Sequence, residues 1–204
     1  MNTLTRQALA GLRMILVLTV ILGIIYPLAV WAVAHLPGLS GRAEGSVITA
    51  NGAPVGSSLI GVDPVPANPA ADPYFHARPS ASAKDVLGPG DPSTSGGTNL
   101  AGDSDKLLKA VVQRREQIAA REGVAPASVP ADAVTASASG MDPQISSAYA
   151  ELQVARVARV TGLPVDQVRG LVDEHTQGRF AGVLGEPGVN VTELNLAVAA
   201  ARAR

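Results

Sequence analysis

The 204-residue chain has no cysteine, and that absence excludes disulfides, thiolate nucleophiles and cysteine-bound metals together. Aromatic residues are almost as scarce: three Tyr, two Phe and one Trp. With so few large rings, the core has to be built from aliphatic side chains and alanine, and should be thin. No Gly-Lys pair occurs, so the phosphate-binding loop G-x-x-x-x-G-K-[ST] is ruled out. Neither G-x-S-x-G nor H-E-x-x-H is present. The three histidines, His35, His76 and His175, are scattered and form no metal-ligand spacing. His175 reads as a half-buried helix residue capping a nearby carbonyl, with a catalytic role as the alternative. No block of like charge exists, which argues against a nucleic-acid partner.

One stretch lacks charge altogether. Residues 14–34, MILVLTVILGIIYPLAVWAVA, are 21 uncharged residues, long enough as a helix to span roughly 30 Å of hydrocarbon. Tyr26 and Trp31 suit a headgroup region, and Pro27 introduces a kink of the sort membrane helices tolerate. The same stretch has a second reading as a cleaved signal peptide, with Arg6 and Arg13 as its basic start and Ala32-Val33-Ala34 as an A-x-A site. Either way the remaining chain crosses the membrane. Arg6 and Arg13 precede the span, whereas Arg42 beyond it is soon offset by Glu44, so the N-terminus is expected in the cytoplasm. Past the span, 14 Lys and Arg face 17 Asp and Glu, a formal charge of −3.

The expected layout is a short cytoplasmic N-terminus (1–13), a transmembrane helix (14–34), a connector (35–45) and one extracytoplasmic domain (46–204). Ser46–Thr49 reads as a strand, Asn51-Gly52 as a hairpin turn and Val55–Ile60 as the returning strand. Between Asp63 and Leu100, seven recurring prolines break up regular structure, leaving either a disordered segment or an ordered contact surface. A helix should then start at Asp103 or Ser104, bury Leu107, Leu108, Val111, Val112, Arg115 and Ile118, and stop at Glu122-Gly123. After an Ala/Pro/Ser loop (124–140), Asp142-Pro143 reads as N-cap and first turn of a second helix. Ile145, Tyr149, Leu152 and Ala155 mark its face, and Gly162 and Pro164 its end. A third helix runs from Val165 to Gly178, and a short final one is capped by Thr192. The fold class is α+β: one N-terminal transmembrane helix, then a mostly helical extracytoplasmic domain with a small β-hairpin or sheet.

Three segments use residues that ordinary loops rarely need. Tyr74-Phe75-His76-Ala77-Arg78-Pro79 gathers two of the few aromatics beside an arginine, either pinning a loop to the helices or making a protein-contact patch. Ser95-Gly96-Gly97-Thr98-Asn99 offers consecutive backbone N–H groups as a concave nest for an anion, or turns carbonyls toward a cation, or serves as a plain turn before the next helix. Val134–Pro143 carries Ser137 and Ser139 close to an expected helix start.

These segments, with Tyr26-Pro27-Leu28, Gly56–Gly61, Ile145-Ser146, His175-Thr176, Leu184-Gly185-Glu186-Pro187, Val189-Asn190-Val191 and Leu194-Asn195, resemble the KdpC family in order and spacing along essentially the whole chain. That family is the single-span subunit of bacterial potassium-transporting Kdp ATPases. The resemblance implies a retained anchor and a non-catalytic subunit, needed for assembly and for potassium affinity at the outer entrance of a channel-like subunit. The implied partners are the channel-like KdpA, the P-type ATPase subunit KdpB, the small membrane subunit KdpF and the lipid bilayer of the plasma membrane. It also implies an alternative role in raising the pump's ATP affinity, with no tightly bound cofactor and with ATP contacted in the complex at Ser95, Gly96, Gly97, Thr98 and Asn99. Gly23, Tyr26, Pro27, Tyr74, Phe75, Arg78, Ser137, Asp142 and Asn190 become the expected partner contacts. The chain departs from the family pattern at Val62-Asp63-Pro64, where glutamine is usual after Ile60-Gly61, and at Gln144, where histidine is common.

Overall fold

A computed structural model describes residues 2–50 and 52–203. Asn51, half of the expected hairpin turn, lies outside the described residues. The chain divides into two compact units at Val47/Ile48.

The first unit is dominated by one long helix, which begins at Thr3, well before the uncharged run, and ends at Ala34. It comprises α1 (Thr3–Val20), a π-helical turn (Ile21–Ile25) and α2 (Tyr26–Ala34), with no buried residue in any of them. Pro27 accounts for the π turn. Its ring has no N–H and would press on the carbonyl of Gly23 in a regular helix. The Tyr26 N–H instead reaches back five residues to the Ile21 carbonyl, so the expected kink takes the form of a π-bulge. At the far end His35 Nδ1 bonds the Trp31 carbonyl at 2.8 Å, and its ring centroid lies 4.4 Å from that of Trp31. A short helix α3 (Ser40–Ala43) follows.

Beyond it, β1 (Val47–Ala50) and β2 (Ala53–Ser57) pair in a two-stranded sheet. In the second unit α4 (Asp105–Glu122) has the expected local signals. Ser104 accepts the Leu107 N–H, and Gly123 closes the helix in the left-handed region at φ 70°. After α5 (Ala131–Val134) comes β3 (Gln144–Ile145), then α6 (Ser147–Thr161), α7 (Val165–Glu174), β4 (Thr176–Gln177), β5 (Gly188–Asn190) and α8 (Val191–Arg202). β5 is the central strand of a three-stranded antiparallel sheet, with Ile145 and Thr176 both opposite Val189. α6 and α8 pack on β5, α7 joins those two helices, and α4 lies against α5 and α6.

The core is aliphatic, as the composition requires: Ile118, Val154, Val157, Val168, Val189, Val191 and Leu194 surround just two rings, Phe75 and Tyr149. The proline-rich stretch is ordered, and it contributes Phe75 to that core along with buried Asp72, His76 and Ser80.

Four sequence expectations are corrected. Asp142-Pro143 does not open a helix. Asp142 accepts the Gln144 N–H at 3.0 Å in a local turn, Pro143 accepts the Val191 N–H at 2.8 Å, and the next two residues join the sheet. The helix starts instead behind Ser146, which caps Tyr149 and is itself held by both Asp132 oxygens at 2.8 Å. Thr192 is not a cap either: Asn190 caps α8, and the Thr192 hydroxyl donates to the Ile60 carbonyl. α7 stops at Glu174 because Thr176 and Gln177 pair with β5. On α4, Leu108 and Val112 stay exposed while Arg114 and Glu122 are buried. His175, half-buried, does bond the Leu171 carbonyl through Nδ1 at 2.8 Å, as expected.

Candidate functional site

The three unusual segments converge. Residues 134–143 form a strap, and the other two segments are bonded along it. Pro79 accepts the Ser137 N–H at 2.8 Å, and Arg78 donates to the Thr135 and Ala136 carbonyls while its Nη1 lies 3.4 Å from Asp142. Ser137 and Ser139 turn inward and accept the N–H groups of Gly140 and Met141. From the third segment Gly96 donates to the Ser139 carbonyl at 2.8 Å. A Cβ on Gly97 would sit 3.0 Å from the Ala138 carbonyl oxygen. The paired glycines therefore bring two backbones together. Neither is in the left-handed region, and the Gly96 N–H is already spent on the strap, so the expected open nest is not what they form.

Beneath this surface is a polar network that the sequence reading missed. His76 lies between two carboxylates, Asp63 at 2.8 Å from Nδ1 and Asp72 at 2.5 Å from Nε2. Because both partners are acceptors, the ring satisfies them only as an imidazolium, with a proton on each nitrogen. Burial pushes the His76 pKa down, but the bonds to Asp63 and Asp72 outweigh it and the net direction is up. Burial likewise pushes Asp72 up, and His76, the Tyr74 N–H and Arg156 reverse it, leaving its pKa lowered. Arg156 is 3% exposed; its Nε meets Glu122 at 2.9 Å and its Nη1 donates to the Asp72 and Tyr74 carbonyls. Gln153 receives Arg156 Nη2 and the His76 N–H on one oxygen. Arg121 bridges Glu122 and the Tyr149 hydroxyl. Asn195 takes both backbone groups of Phe75 at 2.8 Å. Thus an irregular chain, which cannot use a strand ladder, has its backbone groups satisfied by side chains from α6 and α8, and Glu122 of α4 holds the α6 arginine in place.

This packing sorts the expected site residues. Phe75, Ser137 and Asn190 are at most 2% exposed, so their expected role as direct partner contacts is corrected. Phe75 fills the core, Ser137 shapes the strap, and Asn190 caps α8 while donating to the Ser58 carbonyl. Tyr74 is half-buried. Arg78 and Asp142 reach the surface, where with Gln144, Glu186 and Pro187 they line a shallow cleft of about 220 Å³. Ser95, Gly96 and Asn99 are exposed, Gly97 and Thr98 half-buried. Gly23, Tyr26 and Pro27 all lie exposed on the long helix. Only the four-residue step from Asp72 to His76 hinted at the network; Asp63, Glu122 and Arg156 are distant in sequence and gave no signal. Also unforeseen is the loop after β4, closed by an Arg179–Glu186 ion pair at 2.8 Å, which exposes Phe180, Val183 and Leu184.

Comparison with known proteins supplies the context for this geometry. The family model described as "K+-transporting ATPase, c chain" (KdpC) matches residues 8–200. A relative from Kineococcus radiotolerans, named potassium-transporting ATPase KdpC subunit, is 50% identical over 98% of this chain and 97% of its own length. Relatives of the same name from Variovorax paradoxus and Koribacter versatilis are 47% and 43% identical, covering 100% and 94% of this chain and 99% and 93% of theirs. With a helix long and apolar enough to cross a membrane at its N-terminus and one folded unit after it, matched along nearly its whole length, the chain belongs to the KdpC family.

Proposed function

We propose that this chain is an accessory, non-catalytic subunit of an ATP-driven potassium uptake complex. The observation that carries the reading is the near full-length match to subunits of that name. The helix from Thr3 to Ala34, which buries no residue, supports it, because an apolar surface of that length needs lipid or other helices as its solvent. In this reading the helix stays attached as a single-pass anchor, with Gly23 and Ala29 allowing a neighbouring helix to approach. The N-terminus is cytoplasmic and the second unit lies outside, at the outer entrance of the channel-like subunit KdpA and in assembly with KdpB and KdpF. There it stabilises the complex and raises its potassium affinity. The test is purification of the tagged full chain from membranes of cells expressing all subunits. Recovery with stoichiometric partners is expected. Recovery as a lone monomer, with potassium uptake intact in cells lacking the chain, overturns the reading.

A second reading, direct ATP contact at Ser95–Asn99, rests on the exposure of Ser95, Gly96 and Asn99. It is tested by the ATP dependence of hydrolysis in complexes carrying Ser95→Ala, where an unchanged dependence removes it.

A further inference from the structure

Arg114 sits in the middle of α4 and is 7% exposed. Two other buried or half-buried arginines of this unit, Arg121 and Arg156, each have Glu122 within 3 Å. Among the described residues, no carboxylate pairs with Arg114. Its Nη1 donates to the Val134 carbonyl at 3.1 Å, and its Nε is buried with no hydrogen-bond partner among the described residues. Burial is the only influence on its guanidinium pKa, which is lowered with nothing to offset it. A permanently charged group in that position leaves a donor unsatisfied and a charge uncompensated, an arrangement that calls for an ordered water or an anion beside it.

Arg114 lines a cavity of about 300 Å³. Lys106 and Thr98 also line it, and neither side chain bonds another described residue. Ser80 contributes a hydroxyl already engaged by Ser82 at 2.9 Å, and Asp85, exposed to water, is the one acid on the lining. Two cations therefore line the cavity against one exposed carboxylate, and the side-chain donors of Lys106 and Thr98 are unengaged. Such a set suits a compact anion with acceptors pointing several ways.

We propose that this cavity binds a small tetrahedral oxyanion of the phosphate or sulfate class, with Arg114 as the anchoring donor, Lys106 as the rim charge and Thr98 as a third donor. Of the Ser95–Asn99 segment, Gly97 and Thr98 line it and Ser95, Gly96 and Asn99 do not, so the site borders the nucleotide contact of the second reading and shares Thr98 with it. A phosphodiester headgroup presents the same chemistry as a free anion.

The test is calorimetric titration of inorganic phosphate into the full-length chain in a neutral detergent, at ionic strength held constant with chloride. One saturable site is expected, displaced by sulfate. Arg114→Lys keeps the charge and loses the planar fork, and should weaken binding by about tenfold or more. Lys106→Gln and Thr98→Val alter side chains without internal bonds, so both fold normally and should weaken binding several-fold. They carry the test if the arginine variant does not fold. Displacement of phosphate by short-chain phosphatidylglycerol assigns the natural source to a lipid headgroup; failure to displace it assigns the source to the free anion. The proposal is overturned by no saturation up to about 10 mM phosphate, by binding that is unchanged in the Lys106 and Thr98 variants, or by binding of ATP without binding of phosphate.

Discussion

At Arg156 every guanidinium nitrogen is committed, to Glu122, Gln153 and the carbonyls of Asp72 and Tyr74. Removing one member of a buried pair strands the other, so Arg156→Met or Glu122→Gln should cost about 3–5 kcal/mol, measured by thermal unfolding of the full chain in detergent. The same network sets a pH window. The His76 pKa is raised from 6.5 in the folded chain, so its contribution is complete below pH 6.5 and is lost as pH climbs through the folded value. Asp72 is lowered from 3.8, so its contribution is complete above pH 3.8 and is lost as pH falls through the folded value. Stability should therefore plateau between those limits and decline on both sides. His76→Gln, which cannot gain the proton, should flatten the alkaline decline in a series of unfolding temperatures; a decline of the same slope in the variant refutes the assignment.

Among the elements, the two glycines of the third segment make opposite predictions despite being neighbours. A Cβ on Gly96 meets nothing within 4 Å, whereas one on Gly97 meets the Ala138 carbonyl at 3.0 Å. Gly96→Ala should leave stability within about 0.5 kcal/mol, while Gly97→Ala should lose about 1–3 kcal/mol by forcing the strap outward. Any loss of function in a Gly97 variant thus has to be checked against its unfolding temperature before it is read as lost ligand. The contrast also marks what could be read from the sequence. α4 was legible from Ser104 to Gly123 because its caps are local chemistry. Asp142-Pro143 misled because the same two residues make a turn as readily as a helix start, and the choice is made by β5, more than forty residues on. Phe75 was rare enough to notice, yet whether it faced outward or inward depended on Asn195 holding its backbone. Beyond the Asp72–His76 step the network around His76 could not be seen, since its acids and bases come from three separate stretches of chain.

For the whole molecule, the long helix and the folded unit raise one question together: which side of the membrane each end occupies. The helix is continuous to Thr3, so Arg6 and Arg13 are helical residues rather than part of a loose tail, fixed on the same rod as the apolar run. Their position relative to the bilayer is then tied to that of the span, and drawing the first turns inward would carry two guanidinium groups into hydrocarbon. On the other side, the unit after the span is formally −3, with no positive cluster to compete for the cytoplasm. The proposed orientation therefore rests on these two arginines, and replacing both should weaken it without touching the fold of the second unit. In Arg6→Glu/Arg13→Glu, protease added to intact spheroplasts should degrade a smaller fraction of the second unit than in the parent chain, while unfolding temperatures of the purified proteins stay equal. Full degradation in both would show that translocation of the folded unit, and not the flanking charge, decides the topology. Intact mass of the mature chain, taken from the same membranes, separates this from the signal-peptide reading: retention of residues 1–34 fits an anchor, and loss after Ala34 would leave the second unit free of the membrane.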